Sequence, residues 1–268
     1  MKIERKNRVH KRLKNIYIAL IFLFLYLPIF MVIIFSFNTS KMNIVWEGFT
    51  LQWYGSFFKN RTLMESLWVS LIIAVLSTVI STIIGTLGAV GLSKYHFRGK
   101  NIIDQLLYIP VVIPEIILGV ALLCIFSTIK MPLGIGSITL SHITFCIPFV
   151  VISVRARLAG FDKYLEEAAM DLGANRAVTF WKIILPLIMP GVTSGALLSF
   201  SLSMDDVIIS FFVTGPGSTT LPLKILSMVK TGVTPEVNAL STIIMFIIII
   251  AISINTGMQV KKLKAKSY

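Results

Sequence analysis

The chain has 268 residues, of which 56% are hydrophobic and 14% are charged, and its mean hydropathy is +0.86. This composition excludes an ordinary soluble domain, because apolar runs close to the ~20 residues that cross a bilayer recur along the sequence. Membrane-spanning helices are predicted at about 16–37, 67–92, 102–129, 137–154, 183–212 and 239–259. The sequence therefore predicts an all-α polytopic membrane protein with six spans, in which one membrane domain at 16–259 lies between basic tails at 1–15 and 260–268.

The net charge of +13 fits either nucleic acid or a membrane surface, so the positions of the 25 Lys and Arg residues decide between them. Most of these residues lie in the two tails and in the gaps after the second and fourth predicted spans. The other three gaps hold only Lys41, Lys59, Arg61, Lys130, Lys224 and Lys230. By the positive-inside rule both termini and the loop at 155–182 are cytoplasmic, and no nucleic-acid partner is predicted.

The first apolar run follows a basic stretch, as the apolar core of a secretory signal does. It exceeds the ~7 to 15 residues of such a core and has no small-residue cleavage site, so a retained span is predicted. Cys124 and Cys146 lie within predicted spans without metal-ligand spacing, and we interpret them as packing residues.

The outer gaps differ in chemistry. The first, at 38–66, is rich in aromatic residues: Trp46, Phe49, Trp53, Tyr54, Phe57 and Phe58. Such residues anchor a chain at the membrane interface or face a cation in a vestibule, and the sequence leaves both open. The last gap carries Thr-Gly-Pro-Gly-Ser at 214–218, which prevents a continuous helix and predicts an irregular lip.

Three acids lie at predicted membrane depth, where insertion costs on the order of 2.5 to 3.5 kcal/mol per charge. Glu115 follows Pro110 and Pro114, two helix-breaking residues, within the third span. Asp205 and Asp206 follow the fifth apolar run and are adjacent, so at most one can face a lumen squarely if that segment is helical.

A lumen lined by carboxylates, backbone carbonyls and aromatic faces favours an organic polycation and repels phosphate, sulfate and carboxylate substrates. The alternative is that Glu115 pairs with a neighbouring subunit and that the Asp205–Asp206 pair caps a helix at the outer surface. Periodicity does not separate these interpretations.

The sequence of the loop at 155–182 predicts a short helix that begins with Asp162 as its cap and ends at Gly173. Glu166 and Glu167 lie in its first turn. An apolar face is formed by Leu165, Ala168, Ala169 and Leu172. An amphipathic helix on the bilayer surface would need no partner. The narrow, alanine-rich face favours docking into a protein groove instead.

No Gly-x4-Gly-Lys-Ser/Thr sequence occurs in the chain, so ATP hydrolysis, if it drives this protein, takes place in another polypeptide. His10, His96 and His142 have neither ligand spacing nor a nucleophile partner, and each is predicted to be structural or solvated. No catalytic residue, metal site or bound cofactor is predicted for this chain.

The loop resembles the EAA loop of ATP-binding-cassette importer permeases. The matching positions are Glu167, Ala168, Ala169, Gly173, Ile183, Leu185 and Pro186. The resemblance implies a type I importer permease fold, and it implies that residues 155–182, the coupling loop below, dock on a separate ATPase.

Further stretches, at 38–54, 141–151, 202–207, 212–217, 221–225 and 234–240, resemble the second (C-type) permease family of spermidine/putrescine importers. The resemblance implies a bacterial inner-membrane complex with a different second permease, two copies of an ATPase that binds ATP-Mg, and an extracytoplasmic polyamine-binding protein. It implies pathway roles for Trp53, Glu115, Ser203 and Asp205, to which the argument from acids at membrane depth adds Asp206. This chain departs from the expected pattern with Glu115 in place of Asp and with Arg176 in place of an acid.

The predicted mechanism is alternating access, in which the docked loop transmits movement of the ATPases to the spans. An importer of another cationic or neutral solute, such as thiamine or an oligopeptide, is the first alternative. A self-sufficient channel would require neither the coupling loop nor an ATPase. A membrane enzyme would require a catalytic constellation that the sequence lacks.

Overall fold

The computed structural model of the chain describes residues 2–40, 45–160, 164–231, 235–246 and 249–250. They form helices α1 (Lys2–Phe35), α2 (Gln52–Lys59), α3 (Arg61–Lys94), α4 (Lys100–Val112), α5 (Glu115–Thr128), α6 (Ile135–Leu158), α7 (Tyr164–Asp171), α8 (Arg176–Thr179), α9 (Leu185–Asp205), α10 (Ile208–Val213) and α11 (Leu221–Thr231). A π-helical turn, Phe180–Ile184, joins α8 to α9, and residues 235–246 are also helical. The described residues contain only an isolated bridge of β type, between Asn38 and Phe49.

Four helical stretches of the described chain are long and apolar enough to cross a membrane: Leu13–Phe35, Arg61–Lys94, Ile135–Leu158 and Arg176–Asp205. They correspond to the predicted first, second, fourth and fifth spans. The predicted sixth span at 239–259 falls partly outside the described residues, at 247–248 and 251–259.

The predicted third span is a pair of helices, α4 and α5, whose axes are bent by 114°. The break consists of Ile113 and Pro114, which both have extended backbone. Pro114 has no N–H to continue α4 and disfavours helical backbone at Ile113, so the helix ends there. Pro110 lies inside α4 and does not end it, so only one of the two predicted helix breaks is present. Glu115 is thereby the first residue of α5.

The chain divides into two compact units, Met1–Met64 with Ser227–Tyr268, and Glu65–Leu226. In the first unit, Leu13–Phe35 contains no buried residue within the described chain. In the same unit the Glu236 carboxylate accepts hydrogen bonds from Ser56 and from Asn60, which ties α2 to the helix at 235–246.

The second unit is built around α6, the most buried of its long helices. One cluster of its core packs α3, α5 and α10 on one half of α6; the other half of α6 packs on α3 and the start of α9. Glycines allow these approaches: a Cβ at Gly85 of α3 would lie 2.7 Å from Val150 Cβ, and one at Gly195 of α9 would lie 3.1 Å from Val150 Cα. The core therefore fixes α3, α6 and α9 around each other.

Candidate substrate pathway and coupling loop

Helix α7 of the coupling loop ends as the sequence predicts. Gly173 has a φ of +89°, in the left-handed region that glycine adopts without strain. Its N–H donates to the Met170 carbonyl at 2.9 Å, and the Ala174 N–H donates to the Ala169 carbonyl at 3.0 Å. These two bonds form a Schellman motif, which satisfies the last carbonyls of the helix. The predicted cap, Asp162, lies outside the described residues.

The predicted apolar face of α7 is divided in the structure. Leu165 and Ala168 are exposed, and Leu172 is 89% exposed, whereas Ala169 is only 8% exposed because it packs against its own chain. The exposed face consists of Leu165, Ala168 and Leu172, at the i, i+3, i+7 spacing of one helix side. Ala169 does not share it, which corrects the sequence prediction.

Two ion pairs connect helices near the coupling loop. Lys94, at the end of α3, pairs with Glu166 of α7 at 2.5 Å, and Arg155 of α6 pairs with Asp104 of α4 at 2.5 Å. Both pairs border a cavity of about 710 Å³ behind α7. The next residue, Glu167, is exposed and has no ion pair among the described residues. Sequence reasoning missed both pairs, since their partners are 72 and 51 residues apart.

The remaining positions of the loop form its entry into α9. Ile183 lies in the π-helical turn, Leu185 begins α9, and Pro186 lies in its first turn, where a missing N–H costs nothing. Ile184 is buried against α6. The loop is therefore anchored in the core at its C-terminal end.

The three acids of the predicted pathway lie near two helix breaks. Glu115 begins α5 and is half-buried, and it lies within electrostatic range of Asp205 and Asp206. Helix α5 packs on α10: a Cβ at Gly119 would lie 2.8 Å from the Phe212 ring. Contact between α5 and α10 thus brings the first residue of α5 close to the break that precedes α10.

Adjacent residues Asp205 and Asp206 have different surroundings. Helix α9 ends at Asp205, which is exposed, whereas Asp206 is extended and only 7% exposed. Asp206 Oδ1 accepts from the Ile209 N–H at 3.2 Å, and Oδ2 accepts from the Ser210 N–H at 2.7 Å. Asp206 therefore caps α10, and Asp205 is the accessible member of the pair.

A buried histidine contacts the residues at this break. His142 of α6 is 1% exposed, and its Nδ1 lies 2.7 Å from Ser203 Oγ. Its Nε2 lies 3.2 Å from Asp206 Oδ2 and 3.1 Å from Ser210 Oγ. Ser203 also accepts from Ser77 of α3 at 3.0 Å. In this conformation Ser203 and Asp206 are buried, and Glu115 and Asp205 are accessible.

Sequence reasoning assigned His142 to no site, because its partners are 61 to 68 residues away and no local sequence pattern indicates them. No group of three or more His, Cys, Asp or Glu side chains within the described ranges could hold a metal ion. The site is thus made of two accessible carboxylates and a buried hydrogen-bond network behind one of them.

Trp53 belongs to the other compact unit. Its indole Nε1 donates to the Asn38 carbonyl at 2.6 Å, and the Asn38 side chain in turn bonds the backbone of Val45 and Glu47 at 2.7 and 2.9 Å. The indole is half-buried. The hydrogen bond of the Trp53 Nε1 holds the segment before α2 in place. The face of the indole ring is not used by this bond.

Comparisons with known proteins identify the family. The family model of the binding-protein-dependent transport system inner membrane component matches residues 81–263. The chain is 46% identical over 91% of its length to the spermidine/putrescine transport system permease protein PotC of Escherichia coli K12, of which it covers 92%. It is 42% identical over 84% of its length to the putrescine transport system permease protein PotI of the same organism, of which it covers 82%.

Among solved structures, the fold resembles a chain of a bacterial ABC transporter involved in the import of the acidic polysaccharide alginate. The TM-score is 0.73 with 17% sequence identity, over 95% of this chain and 97% of that one. This likeness concerns the fold, which is that of ABC importer permeases. Together with the apolar helices and the extent of the family match, it leads to one conclusion: the chain belongs to the binding-protein-dependent transport system inner membrane components and is a multi-pass membrane permease.

Proposed function

We propose that this chain is one permease subunit of an ATP-driven polyamine importer, with spermidine and putrescine as substrates. The observation that carries the proposal is a pair of accessible carboxylates beside the two helix breaks. Glu115 begins α5, and Asp205 ends α9. Carboxylates replace part of the hydration of an ammonium group, and an organic polycation has two or more such groups. The relatives PotC and PotI are permease proteins of a spermidine/putrescine and a putrescine transport system, which supports the same substrate class.

In this proposal the energy for transport comes from a partner ATPase. The sequence has no phosphate-binding loop, so two copies of an ATPase bind ATP-Mg and hydrolyse it, and this chain binds no cofactor itself. A different second permease completes the pathway, and an extracytoplasmic binding protein delivers the polyamine to the outer gaps. The excess of basic residues supports a cytoplasmic location for both tails and the coupling loop.

Coupling is proposed to run through α7. Its exposed face docks on the ATPase, with Glu167 at the edge of the contact and with Gly173 and residues 183–186 setting the ends of the loop. When the ATPases close, α7 moves, and the Lys94–Glu166 pair and the π-helical turn pass the movement to α3 and α9. Access to Glu115 and Asp205 then alternates between the two sides of the membrane.

The test is uptake of radiolabelled spermidine and putrescine into vesicles that contain this chain, its second permease, the ATPase and the binding protein. Uptake should require ATP and all components. Glu115→Gln and Asp205→Asn should each lower it about tenfold, equivalent to ~1.4 kcal/mol, with assembly and ATP hydrolysis retained. Glu47→Gln, which removes an exposed carboxylate outside the helix breaks, is the control and should leave uptake unchanged.

Each alternative has its own outcome. An assembled complex that hydrolyses ATP but takes up no polyamine would reject the substrate and keep an importer of another solute. Unchanged uptake in both carboxamide variants would reject the role of Glu115 and Asp205. Polyamine flux by this chain alone, insensitive to substitution of Glu167, would favour the self-sufficient channel.

A further inference from the structure

We propose that His142 is a positioning residue of the pathway: its imidazole bridges the break between α9 and α10 and so directs Asp205, not Asp206, toward the substrate. This inference rests on the proposed function and deepens it. His142 itself does not reach a lumen, since it is 1% exposed.

The two ring nitrogens bond to opposite sides of the break. Nδ1 contacts Ser203, within the last turn of α9, at 2.7 Å. Nε2 contacts Asp206, in the break itself, at 3.2 Å, and Ser210 of α10 at 3.1 Å. A rigid planar ring anchored on α6 therefore fixes the distance between the end of α9 and the start of α10.

The donors and acceptors are mutually consistent. A carboxylate only accepts hydrogen bonds, so Nε2 carries the proton that faces Asp206. Asp206 Oδ2 also accepts from the Ser210 N–H, and Oδ1 accepts from the Ile209 N–H. Ser77 of α3 extends the network by donating to Ser203. Three helices, α3, α6 and α9, thus hold one side of the break.

The orientation of the acids follows from this network. Asp205 is the last residue of α9 and Asp206 is the extended residue after it, and adjacent side chains leave the backbone in different directions, so holding Asp206 inward leaves Asp205 facing outward. Without the imidazole, the buried Asp206 carboxylate loses a donor and competes with Asp205 for solvent. Because α10 packs on α5 through Gly119, a shift of α10 also moves the helix that begins with Glu115.

Two variants of similar size separate positioning from packing. In His142→Gln the side-chain amide nitrogen reaches the place of Nε2 and can still donate to Asp206. In His142→Asn the amide reaches only the place of Nδ1, so the contact with Asp206 is lost. Cys146→Ala, one turn further along α6 and fully buried, is the control for changes in core volume.

The assembled complex is used, and two quantities are measured for each variant. The first is polyamine uptake relative to basal ATP hydrolysis. Uptake should fall about tenfold with His142→Asn and stay within about twofold with His142→Gln and Cys146→Ala, with basal hydrolysis unchanged in all three. The second is the rate at which Asp205→Cys reacts with a charged thiol reagent, in a chain with Cys124 and Cys146 replaced by alanine. It should fall several-fold with His142→Asn and recover with His142→Gln.

Equal uptake and equal labelling in the Gln and Asn variants would overturn the proposal, since the contact with Asp206 would then be without effect. Loss of assembly or of basal hydrolysis with His142→Asn would also overturn it, because the ring would serve the fold alone. The labelling rate does not depend on the substrate. If the wild-type complex hydrolyses ATP without polyamine uptake, the proposed function fails and the positioning of residue 205 is still measured.

Discussion

The Lys94 Nζ and the Glu166 Oε2 are 2.5 Å apart, and this ion pair joins the end of the long helix α3 to the first turn of α7. The two side chains are mostly buried, with 21% of the Lys94 surface and 25% of the Glu166 surface exposed. The contact is a direct mechanical connection between the coupling loop and a helix of the membrane domain.

Breaking this pair should loosen the coupling without unfolding the chain. Lys94→Ala should remove ~0.5 to 1 kcal/mol of interaction, the value of a partly exposed ion pair, and so lower polyamine uptake per ATP hydrolysed about two- to fivefold. Lys100→Ala is the control, because Lys100 borders the same cavity without an ion pair among the described residues. The double exchange Lys94→Glu with Glu166→Lys should restore part of the loss. Equal ratios for the Lys94 and Lys100 variants would show that the pair transmits nothing.

The two adjacent alanines of α7 should respond differently to a large side chain. Ala168→Trp adds bulk to the exposed face and should prevent the ATPase from co-purifying, with normal thermal stability of the permease. Ala169→Trp adds bulk on the buried side and should lower the stability of the chain itself, by about 1 to 3 kcal/mol. The measurements are pull-down stoichiometry and melting temperature in detergent. Stoichiometric ATPase binding by Ala168→Trp would contradict docking through this face.

Gly85 and Gly88 of α3 form a matched pair for testing the core. A Cβ at Gly85 would lie 2.7 Å from Val150 Cβ, whereas a Cβ at Gly88 would meet nothing within 4 Å. Gly85→Ala should therefore destabilise the chain by about 1 to 3 kcal/mol, and Gly88→Ala should stabilise it by up to ~1 kcal/mol through helix propensity. Thermal melts followed by size-exclusion chromatography compare them. Equal melting temperatures would refute the close approach of α3 and α6.

The orientation in the membrane can be tested at two exposed positions on opposite predicted sides. Pro216 lies in the turn at 214–218, and Arg98 lies between α3 and α4, on the side of the coupling loop. In a chain without its native cysteines, Pro216→Cys should react with a membrane-impermeant thiol reagent in intact cells. Arg98→Cys should react only after permeabilisation. The opposite pattern would reverse the proposed topology.

Local chemistry made several features predictable from the sequence. The end of α7 at Gly173 and the break at Ile113 and Pro114 depend on residues within one turn of each feature, so their sequence signals are complete. The expectation that adjacent Asp205 and Asp206 could not both face a lumen followed from side-chain geometry alone.

Features that depend on packing between distant segments could not be predicted from the sequence. The buried aspartate, Asp206, contacts His142, on a helix that ends nearly fifty residues earlier in the chain. The inward position of Ala169 and the ion pairs of Lys94 and Arg155 are likewise set by how α3, α4, α6 and α7 meet. Hydropathy located the apolar stretch at 102–129 but could not give the 114° bend between its two helices, because composition carries no information on the angle between helix axes.

The proline break also bears on how this protein can change over generations. Pro114 has no N–H to donate to the Pro110 carbonyl, so this oxygen, in the last turn of α4, has no intrahelical donor whichever side chain stands at position 115. In the proposed pathway, this backbone oxygen would contribute part of the attraction for a cation, and side-chain substitution would not remove it. Exchange of Asp for Glu, or loss of the carboxylate, would then weaken the preference for positive charge without abolishing it. In the proposed importer, mutation would therefore change the affinity for the substrate more readily than it changes the substrate class.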